Sequence, residues 1–271
     1  MLDNFGDRMK LYEKLESKRF MPLLPVCVRL DGKCFGKFTR GLARPYDVRL
    51  SVLMQETTKY LVEETNACMG YTQSDEITLV FYSDRGDSQI FCGGKLQKMN
   101  SILASMCTAY FSLNLSYFID EREDCAPLFD CRVWQVPNLT EAANVFLWRE
   151  LDATKNSVSM ACREHYSHKQ MMNLGRSDQM ELLFKAGVNW NDYPTFFKRG
   201  TYTQRRNVLK KFSSLELGNL PERHEAKQNP NIEIIRSEVR VLDMPIFTKV
   251  TNREGVIFRG EEPIVLEDSG K

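Results

Sequence analysis

Two short acidic stretches hold the residue types in this chain that are suited to chemistry. Asp31 and Gly32 follow an alternating apolar run, Val26 to Leu30, and Asp75 and Glu76 lie between two further apolar runs. The alternation predicts strands, with one acid at a strand end and two at a hairpin tip. If the strands are neighbours in one sheet, the carboxylates meet at one rim, where they repel unless a proton or a cation joins them. Oxygen ligands without histidine or cysteine suit Mg²⁺, which recruits substrate phosphates.

This arrangement is the core of a phosphoryl or nucleotidyl transfer site. Gly32 adds a backbone carbonyl without side-chain bulk, available to a metal or a nearby phosphate. The loop that follows has lysines and glycines that are suited to a triphosphate through exposed N–H groups and cations. Its candidate residues are Lys33, Cys34, Phe35, Gly36 and Lys37. Asp-Gly and Ser-Asp are also ordinary turn residues, and a loop with lysines is also an ordinary surface loop, so these alternatives stay open.

Two cationic groups further along the chain favour anionic ligands. Lys95 and Lys98 stand one turn apart near the start of a predicted helix. The helix dipole disfavours cations there, so their placement indicates a bound anion. The segment from Tyr193 to Tyr202 interleaves aromatic residues with cations and leads to Arg205 and Arg206, which fits a phosphate backbone with stacked bases. A solvated lysine pair and a basic surface loop are the alternatives.

Length and composition narrow the class of protein. The chain has 271 residues and a formal net charge of +1, so any surface for nucleic acid must be a local patch. Its eight cysteines are scattered without a Cys-x-x-Cys pair, which predicts buried thiols in a reducing compartment and argues against zinc. The chain lacks a long apolar stretch and a signal-like start, which predicts a cytoplasmic protein with no membrane contact.

Hydrophobic periodicity predicts an α/β (α+β) fold with an antiparallel-rich sheet flanked by helices. Residues 5–20 have helical spacing, and Asp47 is a plausible cap for a second helix that returns the chain to a hairpin over residues 68–82. A later strand is predicted over residues 128–136, where Pro137 stops it. The helix that follows Cys92-Gly93-Gly94 is predicted to bury Leu96, Met99, Leu103, Met106, Tyr110 and Leu113.

The composition also predicts a division of the chain into parts. Residues 1–217 contain the candidate site and are expected to form the catalytic domain with helical RNA-binding elements. Residues 218–231 turn polar, with two prolines, and indicate a linker or insertion. Residues 232–271 hold short strand-like runs that suggest a small β appendage of unassigned role. The runs are Ile232 to Ile235, Val239 to Leu242 and Val256 to Phe258.

A series of short motifs occurs in an order typical of one known family. The motifs are Gly6-Asp7-Arg8-Met9-Lys10 with Tyr12-Glu13, Val28-Arg29-Leu30-Asp31-Gly32 with Phe35, Gln73-Ser74-Asp75-Glu76, Lys95 and Lys98 ahead of Ala104-Ser105, Phe129-Asp130 with Arg132, Trp148-Arg149 with Asp152, and Lys198-Arg199-Gly200-Thr201. With these residues, over about positions 1–206, the chain resembles the tRNA-His guanylyltransferase family. It is more similar to the guanylyltransferase-like branch, the reverse polymerases that repair RNA 5′ ends.

The resemblance implies a palm-like domain of the kind found in polymerases and cyclases, with a role for each matching residue. Asp31 and Asp75 would bridge two Mg²⁺ ions, the Gly32 carbonyl would ligate one ion, and Glu76 would support the cluster. The loop from Lys33 to Phe38, with Ser74, would bind the nucleoside triphosphate, and Lys95 and Lys98 would hold triphosphate groups. The candidate RNA contacts are Arg132, Asp152, Lys155, Asn156, Lys198, Arg199, Arg205 and Arg206.

The family chemistry implies ATP or GTP as activating and substrate nucleotides, a tRNA or other 5′-monophosphorylated RNA as partner, and a homotetramer. ATP would activate the RNA 5′ end, and the 3′-hydroxyl of an incoming nucleotide would then attack it. Thr154-Lys155-Asn156-Ser157 stands where eukaryotic enzymes that add the tRNA-His guanosine have His-Ile-Asn-Asn, which favours template-dependent repair. Gly36 replaces a frequent histidine. The alternatives are addition of a single guanosine, a nucleotidyl cyclase, and a non-catalytic RNA-binding module.

Overall fold

A six-stranded sheet forms the centre of the computed structural model, which describes residues 4–229 and 231–266. The strands are β1 (Val26–Gly32), β2 (Met69–Gln73), β3 (Glu76–Phe81), β4 (Phe129–Gln135), β5 (Thr201–Lys211) and β6 (Glu233–Leu242). They lie in the order β4-β1-β3-β2-β5-β6, and every neighbouring pair is antiparallel. The predicted α/β class and antiparallel-rich sheet are therefore confirmed.

Helices cover both faces of the sheet. They are α1 (Phe5–Leu15), α2 (Phe35–Phe38), α3 (Val48–Thr65), α4 (Leu96–Phe118), α5 (Leu139–Cys162), α6 (His168–Met171), α7 (Arg176–Lys185), α8 (Thr195–Arg199), α9 (Ser214–Asn219) and α10 (Glu225–Gln228). The long helices α3 and α4 share one hydrophobic core with one face of the sheet, and α5 shares a second core with the other face. In the part of the chain that the structure describes, no helix is both long and apolar enough to cross a membrane.

The local signals for α3 are those that the sequence predicts. The side chain of Asp47 accepts a hydrogen bond from the Arg49 N–H and so caps the helix, and Asn66 ends it in the left-handed conformation. The helix α4 differs from its prediction because Leu113, expected to face inward, is 83% exposed. Its buried residues recur every four positions and pass through Phe111 instead, so the predicted inward stripe was wrong at that end.

The C-terminal region differs from the predicted separate appendage. The two runs expected at residues 232–235 and 239–242 are one strand, β6, which pairs with β5 from Glu233 to Leu242 and so extends the main sheet. The third run lies in a π-helix, Gly255–Arg259, and not in a strand. Its buried residues pack in the core beneath α5, and the Gln204 amide donates to two of its backbone carbonyls, at 2.9 and 2.8 Å. A short apolar run cannot reveal such a distant partner or distinguish a strand from a buried helical turn.

The cysteines agree only in part with their prediction. All eight lie within the described ranges and are free thiols. Three of them, Cys27, Cys107 and Cys162, are buried as expected, and burial raises the pKa of the Cys27 thiol to about 12. Cys34 and Cys125 are exposed, which the scattered spacing did not predict.

A glycine in β2 allows α3 to pack closely against the sheet. A Cβ atom on Gly70 would lie 2.7 Å from Val62 Cγ2 and 2.8 Å from Thr58 Cγ2. We expect Gly70→Ala to lower the free energy of unfolding by about 1–3 kcal/mol, because helix and strand must move apart. The measurement is a urea titration followed by circular dichroism. Gly86→Ala, where a Cβ meets no atom within 4 Å, is the control, and equal midpoints for both variants would contradict the packing argument.

Candidate active site

Strand register brings the predicted acids to one rim of the sheet. Asp31 on β1 lies opposite Glu76 on β3 and opposite Asp130 on β4. Asp75 occupies the tight turn between β2 and β3, and its carbonyl accepts a hydrogen bond of 3.1 Å from the Gly32 N–H. The structure therefore places Asp31, Gly32, Asp75 and Glu76 side by side, although half of them come from a distant part of the sequence.

The carboxylate of Asp75 is held in an unfavourable environment. Burial raises its pKa first of all, and the negative charge of Asp31 raises it further, while the Ser74 hydroxyl donates to it at 3.1 Å and opposes the shift. The nearest cation to Asp31 is Arg132, with Nη2 at 3.9 Å from Oδ2. A divalent cation between the two carboxylates would relieve this repulsion.

The oxygen ligands at the rim fit a hard metal ion. They include fewer side chains than a metal site that is closed to water and substrate. Asp31 and Asp75 offer carboxylate oxygens, and the backbone carbonyl of Gly32 lies on the same strand end. Over residues 4–229 and 231–266, no group of three or more His, Cys, Asp or Glu side chains is arranged to hold a metal by itself. A site with two carboxylates leaves positions for water and substrate phosphates, which is the usual way in which Mg²⁺ binds.

The charge of Glu76 is neutralised by an arginine of the protein, so Glu76 does not depend on a metal ion for its charge balance. Its carboxylate forms an ion pair with Arg149 of α5, and the same guanidinium contacts Asp152 at 3.2 Å. The Arg149 side chain is only 4% exposed. Burial lowers the pKa of Arg149, and the negative charge of Asp152 opposes that shift. Glu76 thus supports the rim through Arg149, while Asp31 and Asp75 retain unbalanced charge.

The loop after Asp31 divides into an anchor and an exposed surface. The Phe35 ring is buried among the rings of Phe38, Phe111 and Phe129, with centroids 4.9–5.7 Å away. The other predicted nucleotide contacts of this loop, Lys33, Cys34, Gly36 and Lys37, are exposed beside the rim. Phe35 therefore fixes the loop against the core, and its lysines remain available to a ligand.

Lys95 and Lys98 are not brought to these acids. The ring of Phe91, just before them, stacks on Phe81 at the opposite end of β3, with centroids 6.0 Å apart. It is Phe111, further along α4, that contacts the loop at the rim. At 1.5 Å per helical residue, about 24 Å of helix separates Lys95 from Phe111. Spacing within a helix does not reveal which end of the sheet the helix start will reach.

Three of the predicted RNA contacts lie near the rim. Arg132 contacts Asp31 and, through Nε at 3.4 Å, Asp130. Asp152 accepts from Arg149 and from the Asn156 amide, at 3.4 Å. Asn156 also lines the cleft in front of the acids. Of these three residues, only Asn156 faces the cleft, while Arg132 and Asp152 pair with charged residues at the rim.

The other predicted RNA contacts are engaged or lie elsewhere. Arg205 and Arg206 donate to backbone carbonyls of other segments, which fixes their guanidinium groups within the protein. Lys198 donates to the Asn191 carbonyl and stacks over the Trp190 ring, 5.5 Å from its centroid. Arg199 lines a separate cavity with Tyr202 and Met244, and Lys155 is exposed on α5 outside the cleft lining.

A cleft of about 270 Å³ opens in front of the acids. The sheet rim contributes Asp31, Gln73, Ser74, Asp75 and Glu76, and α5 with its end contributes Asn156, Ser159, Met160 and Arg163. Arg163 did not stand out in the sequence, although helical spacing from Asn156 places both residues on one face of α5. A smaller cavity of about 80 Å³ shares Gln73, Ser74 and Met160 with the cleft and is lined by Tyr46, Phe196 and Phe197.

Proteins of one known family are similar to this chain in sequence and in structure. A family model described as tRNAHis guanylyltransferase matches residues 6–137. The solved structure of a bacterial tRNA(His) guanylyltransferase-like protein in complex with ATP is 33% identical, with a TM-score of 0.76, and covers 93% of this chain and 97% of its own. A similar protein in complex with GTP is 32% identical, with a TM-score of 0.69 and coverage of 91% and 95%. The tRNA(His) guanylyltransferase of Kluyveromyces lactis is 28% identical over 69% of this chain and 86% of its length.

We expect Asp75→Asn to raise the melting temperature at pH 7 in the absence of divalent metal. The raised pKa of Asp75 means that the folded state retains this proton to higher pH than the unfolded chain, so ionisation reduces stability. The reduction grows from the ordinary aspartate pKa, about 3.9, up to the raised value and is then constant. The gain should therefore be complete at pH 7 and small at about pH 4. Exposed Asp84→Asn is the control, and a lower melting temperature for Asp75→Asn would indicate a structural turn instead.

Arg149→Met should destabilise the protein by about 3 kcal/mol, because Glu76 would keep a partly buried charge without its partner. The double variant Arg149→Met with Glu76→Gln should recover most of that loss, since the unpaired charge is removed. Urea unfolding of both single variants and the double variant measures this coupling. Additive losses would show that the ion pair contributes nothing to stability.

Proposed function

The chain belongs to the tRNAHis guanylyltransferase family, and we propose that it extends the 5′ end of a tRNA or similar RNA by template-dependent 3′-to-5′ nucleotide addition. It is a nucleotidyltransferase with a palm-like fold. The observation that carries the proposal is the meeting of Asp31 and Asp75 at one rim, where Gly32 is bonded to the turn of Asp75. An RNA-binding module would have no use for this unfavourable pair.

Two Mg²⁺ ions are the proposed cofactors, held by Asp31, Asp75 and the Gly32 carbonyl. When bound, such ions lower the pKa of an attacking hydroxyl and neutralise the charge of the leaving group. The rim supports this assignment because burial and the nearby charge of Asp31 raise the pKa of Asp75, and a bound cation would stabilise the charged form of that carboxylate. Glu76 and Arg149 form the balanced pair beside them, which keeps the rim in position.

A nucleoside triphosphate, ATP or GTP, is the proposed ligand of the cleft and the adjoining cavity. The bacterial relatives named above were solved in complex with each of these nucleotides. In this chain, the exposed Lys33 and Lys37 lie beside the acids, where they can contact phosphates. The adjoining cavity suits the flat base, because Tyr46, Phe196 and Phe197 offer apolar and aromatic contacts next to Ser74.

The proposed reaction proceeds in two transfers. An oxygen of the RNA 5′-monophosphate attacks the α-phosphorus of ATP, the bond to the β-phosphate breaks, and pyrophosphate leaves. The 3′-hydroxyl of an incoming nucleoside triphosphate then attacks the RNA 5′ phosphorus and loses its proton, and AMP leaves. Positioning and charge neutralisation provide the catalysis in such transfers, which agrees with a rim that has carboxylates and arginines but no histidine.

The polar run in the middle of α5 supports template-dependent addition. In this chain Ser157 is buried and accepts a hydrogen bond of 3.2 Å from the Trp190 indole, and Thr154 donates to the Glu150 carbonyl. Only Asn156 of the four residues lines the cleft. A wall with so few exposed groups is poorly equipped to select guanosine by itself, which favours selection by pairing with a template strand.

A homotetramer in a reducing, cytoplasmic compartment completes the proposal. Exposed apolar side chains on two helices, Phe5 and Leu15 on α1 and Leu113 and Tyr117 on α4, support association with further copies. The eight free thiols, all in described parts of the chain, are typical of a reducing environment.

The decisive assay gives the protein a 5′-truncated, 5′-monophosphorylated tRNA with ATP, magnesium and all four nucleoside triphosphates. We expect nucleotides to be added that are complementary to the opposite strand, and a changed template base should change the added nucleotide. Asp31→Ala and Asp75→Ala should give no product, while exposed Asp84→Ala should retain activity.

Other outcomes would contradict the proposal in distinct ways. A single guanosine added regardless of the template would identify a guanylyltransferase. A cyclic nucleotide formed without RNA would identify a cyclase. Unchanged RNA binding in EDTA, together with no extension by the wild-type protein, would identify a binding module.

A further inference from the structure

Arg163 lines the cleft in front of Asp31 and Asp75, and the proposed reaction assigns it no role. It follows the last residue of α5 and lines the same cleft as Asp31 and Asp75. Its side chain is exposed, and among the residues that the structure describes its guanidinium has no hydrogen bond, ion pair or ring contact. Such a group has its full hydrogen-bonding capacity available to a ligand.

The neighbouring acids do not account for the position of Arg163. Asp31 has its closest cation in Arg132, and Asp75 takes its side-chain hydrogen bond from Ser74. A cation is favourable at a helix C-terminus, which explains why an arginine is tolerated there but not why it faces the cleft. Asn156 and Arg163 stand on one face of α5, so both project toward the space in front of the acids.

The arrangement of charges indicates what this space binds. Phosphate oxygens that enter the cleft face the carboxylates on its sheet side. They therefore need a metal ion between themselves and the carboxylates, and a protein cation on the α5 side of the cleft. A guanidinium is suited to this role because its planar fork bonds two phosphate oxygens at once. The exposed Lys33 and Lys37 belong to the loop that continues from Asp31 at the sheet rim, whereas Arg163 lines the cleft from the α5 side.

We propose that Arg163 binds the 5′-phosphate of the RNA and positions it against Asp31 and Asp75. This inference rests on the proposed function, since it names the group that holds the RNA end in that same site. The α5 side is assigned to the RNA because Asn156, on the same helix face, is a candidate RNA contact. The triphosphate is assigned to the loop side.

The test compares binding of one truncated tRNA with either a 5′-monophosphate or a 5′-hydroxyl, in magnesium without nucleotide, so that no turnover occurs. We expect the wild-type protein to bind the phosphorylated RNA about tenfold more tightly, and Arg163→Ala to reduce this ratio to about one. Arg163→Lys should keep part of the ratio because it keeps the charge but not the fork. Exposed Arg176→Ala is the matched control and should leave the ratio unchanged.

Three further measurements, of ATP binding, of RNA extension and of melting temperature, distinguish the other outcomes. If Arg163→Ala weakens ATP binding but leaves the affinity ratio of the two RNAs unchanged, Arg163 binds the triphosphate of ATP. The assignment of Arg163 to the RNA 5′-phosphate is then overturned. If neither changes, Arg163 is only a solvated cation at a helix end. A wild-type protein that prefers the 5′-phosphate but extends no RNA would reject the proposed reaction while supporting this role. Equal melting temperatures of the variants would exclude a folding defect.

Discussion

The strand register that holds Asp31 and Asp75 at one rim, against the repulsion between their carboxylates, is the constraint on which the site depends. Two charges that would separate in a flexible chain are kept together by the antiparallel register of β1 and β3 and by the bond from Gly32 to the turn of Asp75. A shift of one residue in that register would turn Asp31 to the opposite face of the sheet. The cores on both faces, built on α3 and α4 on one side and α5 on the other, therefore maintain an arrangement that the acids themselves oppose.

The charges at the rim separate into a balanced and an unbalanced set. Glu76 and Arg149 neutralise each other, with Asp152 fixed by the same guanidinium. Among the described residues, Asp75 has a hydroxyl partner in Ser74 but no cation within 4.0 Å, and Asp31 has only the long contact to Arg132. Removing the first set would disturb the scaffold, whereas the second set is prepared for an ion and for phosphates. Four acids of similar appearance in the sequence thus have two separate physical roles.

The parts of the fold that depend on neighbouring residues could be predicted from the sequence, and the parts that depend on distant partners could not. Alternation identified β1 and the hairpin of β2 and β3, and Asp47 was identified as the cap of α3, because each signal is local. The meeting of the acids also followed, since a hairpin tip beside a strand end leaves few alternatives. The position of Lys95 depends on which end of the sheet α4 begins at, and the role of Arg206 depends on a segment more than fifty residues later. No local pattern contains that information.

The pairing of β5 with β6, and the π-helix bonded to Gln204, also bear on how the protein is made. Both contacts join β5 to later segments that end near residues 242 and 257, and the second core is open to water until they form. The acid-bearing face of the sheet belongs to that core. During synthesis the nascent chain must therefore emerge from the ribosome to about Ile257 before the second core can close behind the catalytic rim, and a chaperone would meet an exposed apolar face until then.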